Sequence, residues 1–73
     1  MDKIIVGEFP RNAQEIVRVS LGTYRDKTYC DVRIFFIDSD GHAAPTKKGV
    51  TIPIECIGAL INVLSGVENA APK

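Results

Sequence analysis

An α+β fold, with four short strands followed by one helix, is predicted by three features of the sequence. Apolar and polar side chains alternate between residues 16 and 37, which is typical of half-buried strands. A turn sequence, Asp-Ser-Asp-Gly at residues 38–41, separates this region from two further β-prone segments. An apolar helical periodicity then begins at Pro53. With 73 residues, the chain has room for one domain.

The strands are predicted one after another with short connections. Residues 1–14 are expected to form an N-terminal arm with room for one short strand, and Pro10 favours an extended chain there. The longest strand carries adjacent rings at Phe35 and Phe36, so one ring lies on each face of the sheet unless a bulge intervenes. Pro45 is typical of an edge strand. The predicted strands span residues 16–21, 28–37, 42–48 and 50–52, and residues 22–26 are expected to form a loop or a hairpin bend.

The helix is predicted to run from Pro53 to about Leu64, where a Ser-Gly pair forms a stop signal. Proline suits the first turn because its missing backbone donor would be unpaired there in any case. The domain is therefore expected to span residues 15–66, followed by a frayed C-terminal tail at residues 67–73.

Apolar residues cover about half the circumference of this helix, which is more than one sheet face requires. One stripe contains Ile54, Ile57, Ile61 and Leu64, and a second contains Cys56, Leu60, Val63 and Val67. A chain this short has little sheet to cover both stripes, so one stripe is expected to pack on the same helix of a second chain. The alternative is that a single chain covers both. The residues predicted for the dimer interface are Ile57, Leu60, Ile61, Val63 and Leu64.

Composition argues against several classes of protein. Nine basic and nine acidic residues give a formal net charge of zero, so the bulk charge does not indicate a nucleic-acid binder. No apolar run reaches the roughly 18–20 residues of a membrane span, and the N-terminus lacks a secretory signal. The expected location is therefore cytoplasmic.

No catalytic or metal-binding constellation can be assembled from the sequence. Cys30 and Cys56 lie in apolar runs without CxxC spacing, and both are expected to be small buried hydrophobic residues. The acids at residues 38–41 suggest a calcium loop, but the other ligands of such a loop are missing. The one histidine, His42, follows the turn and is expected to face solvent. We therefore expect no enzyme, no cofactor and no metal.

Several cations and aromatic rings are candidates for contact with a nucleic acid. A protein that binds single strands needs cations for the phosphates and flat side chains for the bases. Tyr24 stands beside Arg25, Phe36 ends the longest strand, and Tyr29 shares a face with Arg33 by alternation. Each feature also has an ordinary interpretation, since sheet-face cations are usually solvated, a lysine pair can protect an edge strand, and rings often belong to a core. The basic residues between 17 and 50 are Arg18, Arg25, Lys27, Arg33, Lys47 and Lys48.

Residues 17–52 resemble the domain of a transcriptional coactivator family called positive cofactor four, or p15. The Asp-Val-Arg triplet at residues 31–33 and the Pro-x-Lys-Lys-Gly run at residues 45–49 are moderately specific at their mutual spacing. The helix follows in the matching place, and the short arm is similar to that of compact prokaryotic members. The further matching segments are residues 19–21, 24–27, 35–38, 40–41 and 50–52.

The resemblance implies a curved, antiparallel, four-stranded sheet and a homodimer formed through the helices. It also implies that single-stranded DNA binds in grooves on the sheets with little sequence preference, by base stacking and phosphate neutralisation. Such a protein would act in transcription, replication or repair, near the nucleoid, with proteins of those processes as further partners. The residues that match the family's contact positions are Tyr24, Arg25, Lys27, Arg33, Phe36, Lys47 and Lys48.

This chain departs from the family at three positions that are often basic, which are occupied by Glu15, Gly22 and Ala44. Phosphate contact is therefore expected to be weaker, unless Lys3 or Arg11 replaces the missing cations. Two alternatives stay open from the sequence. One is RNA in the same groove, because nothing in the pattern reads a 2′-hydroxyl. The other is a dimeric protein-interaction module that binds no nucleic acid.

Overall fold

The computed structural model describes residues 3–72, which form a four-stranded antiparallel sheet and a C-terminal helix. The strands lie side by side in chain order, so each one pairs with the strand that follows it. The predicted α+β class and element order are confirmed. The elements are β1 (Lys3–Pro10), β2 (Glu15–Tyr24), β3 (Lys27–Ile37), β4 (Ala43–Pro53), a 3-10 helix (Ile54–Cys56) and α1 (Ile57–Ala70).

The four observed strands do not all correspond to the four predicted ones. The arm forms a full edge strand, β1, which pairs with β2 from Lys3 opposite Gly22 to Pro10 opposite Ile16, with a register shift around Val6. The two short segments predicted at residues 42–48 and 50–52 are one strand, β4. A bulge opposite Ile34 keeps β4 continuous across the Lys-Lys-Gly run, which alternation alone had split.

The predicted end of the helix at Leu64 is wrong, and so is the frayed tail as far as Ala70. Helix α1 continues through Gly66 to Ala70. A single glycine inside a helix costs only about 1 kcal/mol relative to alanine, which the flanking helix-favouring residues can offset. Among the described residues, no helix has the length and apolar character needed to cross a membrane.

The β2–β3 connection is a hairpin bend, one of the two predicted possibilities, but its turn has only two residues instead of spanning residues 22–26. Arg25 and Asp26 have φ angles of 52° and 64°. Two successive positive φ values are the signature of a type I′ turn, whose twist matches that of paired strands. Pairing therefore continues to Tyr24 opposite Lys27, at the tip of the hairpin.

The sheet has two chemically different faces, because cross-strand partners share a face and neighbours along a strand alternate. We call one the polar face, and its residues include Lys3, Glu8, Arg18, Ser20, Gly22, Tyr24, Lys27, Tyr29, Asp31, Arg33, Phe35 and Thr51. We call the other the apolar face, and its residues include Ile4, Phe9, Val17, Val19, Leu21, Cys30, Val32, Ile34, Phe36, Val50 and Ile52. Phe35 and Phe36 thus lie on opposite faces, as predicted.

The described chain has almost no core of its own. Cys30 is its only buried apolar residue, and the molecule is 18 Å thick in its thinnest direction. Cys56, which was predicted to be buried, is exposed because the helix surface on which it lies is uncovered in the single chain. Ile61 and Val63 on α1 are 58% and 65% exposed. The apolar face of the sheet and the apolar side of α1 are therefore both available to a partner.

Candidate nucleic-acid interface

The hairpin tip presents an aromatic ring between two cations. The Tyr24 side chain is exposed, and the Arg25 guanidinium carbon lies 5.2 Å from the centre of its ring. Lys27 faces Tyr24 across the hairpin. Within residues 3–72, neither Arg25 nor Lys27 forms an ion pair. The tip therefore has a flat surface and, with Asp26 included, a net positive charge, which are the features that a single-strand binder uses.

Arg33 is held in place rather than free at the surface. Its Nε and Nη2 donate to the two carboxylate oxygens of Asp31 at 3.0 and 2.9 Å, and its Nη1 donates to the carbonyl of Thr46 at 3.0 Å. The same Asp31 accepts a hydrogen bond from the Thr51 hydroxyl at 3.2 Å. Such a two-pronged contact is among the strongest that arginine makes, so it fixes the guanidinium on the polar face.

Gly49 allows this arrangement because Arg33 crosses directly over it. A Cβ atom at residue 49 would lie 2.8 Å from the Val32 carbonyl oxygen and 3.0 Å from the Arg33 guanidinium carbon. The Arg33 side chain can therefore reach the bulge of β4, where residues 46–48 stand opposite Ile34. Thr46 strengthens the bulge by donating its hydroxyl to the Ile34 carbonyl at 2.7 Å. The bulge carries two lysines, Lys47 and Lys48, so Arg33 supports the segment that presents them.

The remaining cations of the sheet region are mostly neutralised. Arg18 donates to Glu8 at 2.9 Å and lies 4.4 Å above the centre of the Phe35 ring. Arg11 donates to Glu15 at 2.6 Å, and Lys3 lies 3.9 Å from Asp31. Over the described residues, the cations outside ion pairs are Arg25, Lys27, Lys47 and Lys48.

Comparison with known proteins identifies the family. The family model for the transcriptional coactivator p15 (PC4) matches residues 12–63, which is well over half of the chain. The chain belongs to the PC4 family. A crystal structure of a PC4 homolog from Burkholderia pseudomallei superposes with a TM-score of 0.89 at 27% identity, covering 96% of this chain and 95% of that chain.

Two further structures extend this comparison. A second crystal form of the Burkholderia protein gives a TM-score of 0.83 at 28% identity over 92% of this chain and 98% of that chain. A bacteriophage T5 homolog of PC4, itself implicated in recombination-dependent DNA replication, gives a TM-score of 0.60 at 23% identity over 93% and 83% of the two chains, which bears on the fold alone. A search of curated proteins found no match. The chain is thus similar to bacterial and phage members of the PC4 family.

The structure separates the residues that were predicted to contact nucleic acid into two groups. Tyr24, Lys27 and Arg33 share the polar face, with Arg25 at the hairpin tip. Phe36 lies on the apolar face, opposite Glu15 and about 30 Å along β3 from Lys27. The sequence analysis did not predict that Phe36 lies on the other face from Arg33. Alternation along β3 was the available signal, because residues 33 and 36 are an odd number of positions apart.

The lysines at the bulge lie nearer to the Phe36 group. The charge of Lys48 helps to lower the pKa of Glu15, after the larger contribution of the hydrogen bond from Asn12. Glu15 is the cross-strand partner of Phe36, so Lys48 lies at the same end of the sheet. Two ring–cation groups therefore stand at opposite ends of β3, with Tyr24 at one end and Phe36 at the other.

A cavity of about 360 Å³ lies on the polar face beside the hairpin tip. Its wall includes two tyrosine rings and the Asp31–Arg33 pair, and strand β1 contributes Lys3. Sequence reasoning placed Tyr29 on this face but did not predict a cavity, because the cavity depends on the pairing of β1 with β2. The lining residues are Lys3, Gly22, Thr23, Tyr24, Tyr29, Asp31, Arg33 and Thr51.

The turn between β3 and β4 brings three metal-ligand types together, but the turn itself explains them. Asp38, Asp40 and His42 have ligand atoms within 4.8 Å of one another, and all three are exposed. Asp38 Oδ1 already accepts the backbone N–H groups of Asp40 and His42, each at 2.9 Å. This carboxylate closes the turn, which accounts for the cluster without an ion.

Acid titration provides a test of the Asp31–Arg33 pair. Hydrogen bonds from Arg33 hold the pKa of Asp31 below its ordinary range, and this effect outweighs burial, which raises it. Asp31 therefore stabilises the fold at pH values above its unfolded pKa of about 3.9, and the stabilisation is lost as the pH falls through the lower, folded pKa. We expect Asp31→Asn to flatten the decline in the free energy of unfolding at acid pH, as measured by urea denaturation at fixed protein concentration.

The Glu15 carboxylate supplies the control for this titration. Its pKa is also lowered, with the hydrogen bond from Asn12 as the largest cause. Part of the acid decline should therefore persist in Asp31→Asn and become smaller when Glu15→Gln is added. An Asp31→Asn variant with the acid profile of the wild-type protein would show that the Arg33 contact adds no stability.

Proposed function

We propose that this PC4-family protein binds single-stranded DNA as a homodimer, with little sequence preference over most of the bound strand. It would act as a coactivator-like protein in transcription or as an accessory protein in replication or repair, and it is not an enzyme. The observation that supports this most directly is the exposed Tyr24 ring, flanked by Arg25 and Lys27, which are outside ion pairs in the described chain. A ring can stack on a base only if the base is unpaired, which favours single strands over duplex.

The uncovered apolar surfaces support the dimer. Ile61 and Leu64 on α1 are both more than half exposed, in a chain whose only buried apolar residue among residues 3–72 is Cys30. Contiguous apolar surface of this kind normally marks a protein–protein interface. We propose that α1 pairs with α1 of a second copy through Ile57, Leu60, Ile61, Val63 and Leu64, and that the pair of helices also covers apolar sheet surface.

The contact residues have unequal roles in this proposal. Tyr24 stacks on a base, and the phosphates are neutralised by the four cations outside ion pairs. Arg33 contributes less charge than its position suggests, because Asp31 offsets it. Phe36 is a second stacking ring at the far end of β3. Since it lies on the opposite face from Tyr24, a strand that stacks on both would meet rings from two different subunits.

The slope of log K against log salt should depend on the number of cations that are outside ion pairs in the described chain. Each neutralised phosphate of a single strand contributes a slope of about −0.7 to log K against log salt. The four cations Arg25, Lys27, Lys47 and Lys48 therefore predict a slope of about −3 for each strand bound. Lys27→Ala should make the slope shallower by about 0.7, as measured by fluorescence anisotropy over a salt series.

A charge-neutral double variant is the matched control for that series. Glu8→Gln combined with Arg18→Gln removes one charge of each sign from the polar face, where the two residues form an ion pair. Its slope should equal that of the wild-type protein. A flat salt response in the wild-type protein, or an equal change in both variants, would contradict phosphate neutralisation by the unpaired cations.

A titration against matched oligonucleotides tests the function itself. Single-stranded DNA, duplex DNA and single-stranded RNA of the same sequence are compared at low salt, with sizing of the free protein in the same buffer. The proposal expects a dimer that binds single-stranded DNA more tightly than duplex. Equal or tighter binding of RNA would make it an RNA-binding protein, and no binding of any oligonucleotide would favour a protein-interaction module.

A further inference from the structure

The cavity beside the hairpin tip is lined by a residue that lacks a side chain, Gly22. Lys3, Gly22 and Tyr29 are successive cross-strand partners on the polar face of β1, β2 and β3. A side chain at residue 22 would therefore project from the polar face between the other two. The backbone there is ordinary strand, since Gly41 is the only glycine with positive φ in the described chain. The glycine is therefore not required by the backbone and leaves an open cavity.

The walls of the cavity suit an aromatic ring. Its volume of about 360 Å³ is at the lower end of the range for small-molecule sites. Tyr24 and Tyr29 supply two rings at its border, and an Arg25 guanidinium outside ion pairs lies against Tyr24. The cavity adjoins the hairpin tip, so a base that unstacks from a strand bound at the tip could enter it.

The Asp31 carboxylate retains capacity to accept one more hydrogen bond. An ionised carboxylate offers about four acceptor sites. Oδ1 accepts from Arg33 Nη2 and the Thr51 hydroxyl, whereas Oδ2 accepts only from Arg33 Nε. Lys3 Nζ lies 3.9 Å from Oδ2, which is an ion pair but too long for a hydrogen bond. Oδ2 therefore has an acceptor site that the described chain does not fill.

We propose that this cavity takes one unstacked nucleobase carrying an exocyclic amino group, which is cytosine, adenine or guanine, whose N–H donates to Asp31 Oδ2. The inference rests on the proposed binding of single strands. Lys3 and Arg33 together outweigh the carboxylate charge, so the site stays compatible with a nearby phosphate. Thymine carries a carbonyl oxygen where cytosine carries its amino group, and this acceptor would face the carboxylate oxygen. Each subunit therefore prefers an amino-bearing base over thymine at one position.

Base analogues test the proposal without altering the protein. The wild-type protein is titrated with oligo-dC, oligo-dT and an oligonucleotide of 2-pyrimidinone, which is cytosine without its amino group, at mildly alkaline pH where cytosine is unprotonated. We expect oligo-dC to bind about tenfold more tightly than oligo-dT, because a hydrogen bond to a charged group is at stake. The 2-pyrimidinone oligonucleotide should fall to the oligo-dT level.

A pair of protein variants tests the location of the preference. Gly22→Val places a side chain in the cavity, and the matched control Thr28→Val changes a residue next to Tyr29 that lies on the apolar face and does not line the cavity. Gly22→Val should bind oligo-dC and oligo-dT equally, whereas Thr28→Val should keep the tenfold difference. If Gly22→Val does not fold, the base analogues decide alone.

The outcomes separate this inference from the function on which it rests. Tight and equal binding of oligo-dC and oligo-dT by the wild-type protein would overturn the base site and leave single-strand binding intact. A preference for oligo-dC that survives either the loss of the amino group or Gly22→Val would also overturn it. Failure to bind any of the oligonucleotides would overturn the proposed function itself.

Discussion

Replacement of Ile61 by aspartate is expected to abolish the proposed dimer and to leave a largely unfolded monomer. Ile61 lies on the apolar stripe of α1 and is 58% exposed in the single chain, and a dimer paired through α1 would cover it. Burial of an isoleucine side chain contributes about 2 kcal/mol, and a symmetric dimer loses that twice. The introduced carboxylates would also have to leave water or repel each other in the interface.

The neighbouring Asn62 offers a matched control for this prediction. A residue one position further along a helix is turned by about 100°, which places Asn62 on the polar side of α1. Asn62→Asp introduces the same charge at almost the same distance along the helix. We expect this variant to remain dimeric, with a Tm close to that of the wild-type protein.

Sedimentation and thermal unfolding at several protein concentrations measure the effect. Unfolding linked to dissociation gives a Tm that rises with concentration, because mass action favours the dimer. A wild-type protein that is monomeric and folded at all concentrations would contradict the helix-paired dimer. Equal loss of dimer in Ile61→Asp and Asn62→Asp would show only that α1 tolerates no added charge.

The sequence could predict those parts of the fold that depend on residues close together in the chain, such as the alternation of side chains along a strand. Alternation through β2 and β3 correctly placed Phe35 and Phe36 on opposite faces. The pairing of the N-terminal segment as β1 could not be predicted, because a short apolar run is equally compatible with an arm. The end of the helix was missed for a related reason. A stop signal such as Gly66 acts locally, and the surrounding helix can override it.

The candidate site was less predictable, because its character depends on which charges meet across strands. Arg33 was predicted to contact phosphates, yet its guanidinium donates two hydrogen bonds to the carboxylate of Asp31, which lies two residues earlier on the same face of the strand. The pairing of Arg18 with Glu8 depends on the β1–β2 register, which the sequence does not encode locally. A net charge of zero therefore conceals an uneven surface, which over residues 3–72 has paired charges on the sheet and cations outside ion pairs at its two ends.

The loss of the Tyr24 ring should be the largest effect of a single contact residue on DNA binding. Stacking of one base on an aromatic ring contributes about 1–3 kcal/mol, so Tyr24→Ala should weaken binding of single-stranded DNA about 5- to 150-fold. The ring is 55% exposed, and its removal opens little of the packed sheet. The Tm of Tyr24→Ala should therefore stay close to that of the wild-type protein.

Two companion variants make this result specific to stacking. Tyr24→Phe keeps the ring and loses only the hydroxyl, so its affinity should remain near that of the wild-type protein. Phe36→Ala tests the second ring, which lies on the apolar face at the other end of β3, and a similar loss would support contact by both subunits. Should Tyr24→Ala bind as tightly as the wild-type protein, the exposed ring at the hairpin tip would have no stacking role. A fall in Tm with equal loss in both variants at residue 24 would instead assign the tyrosine to the packing of the sheet.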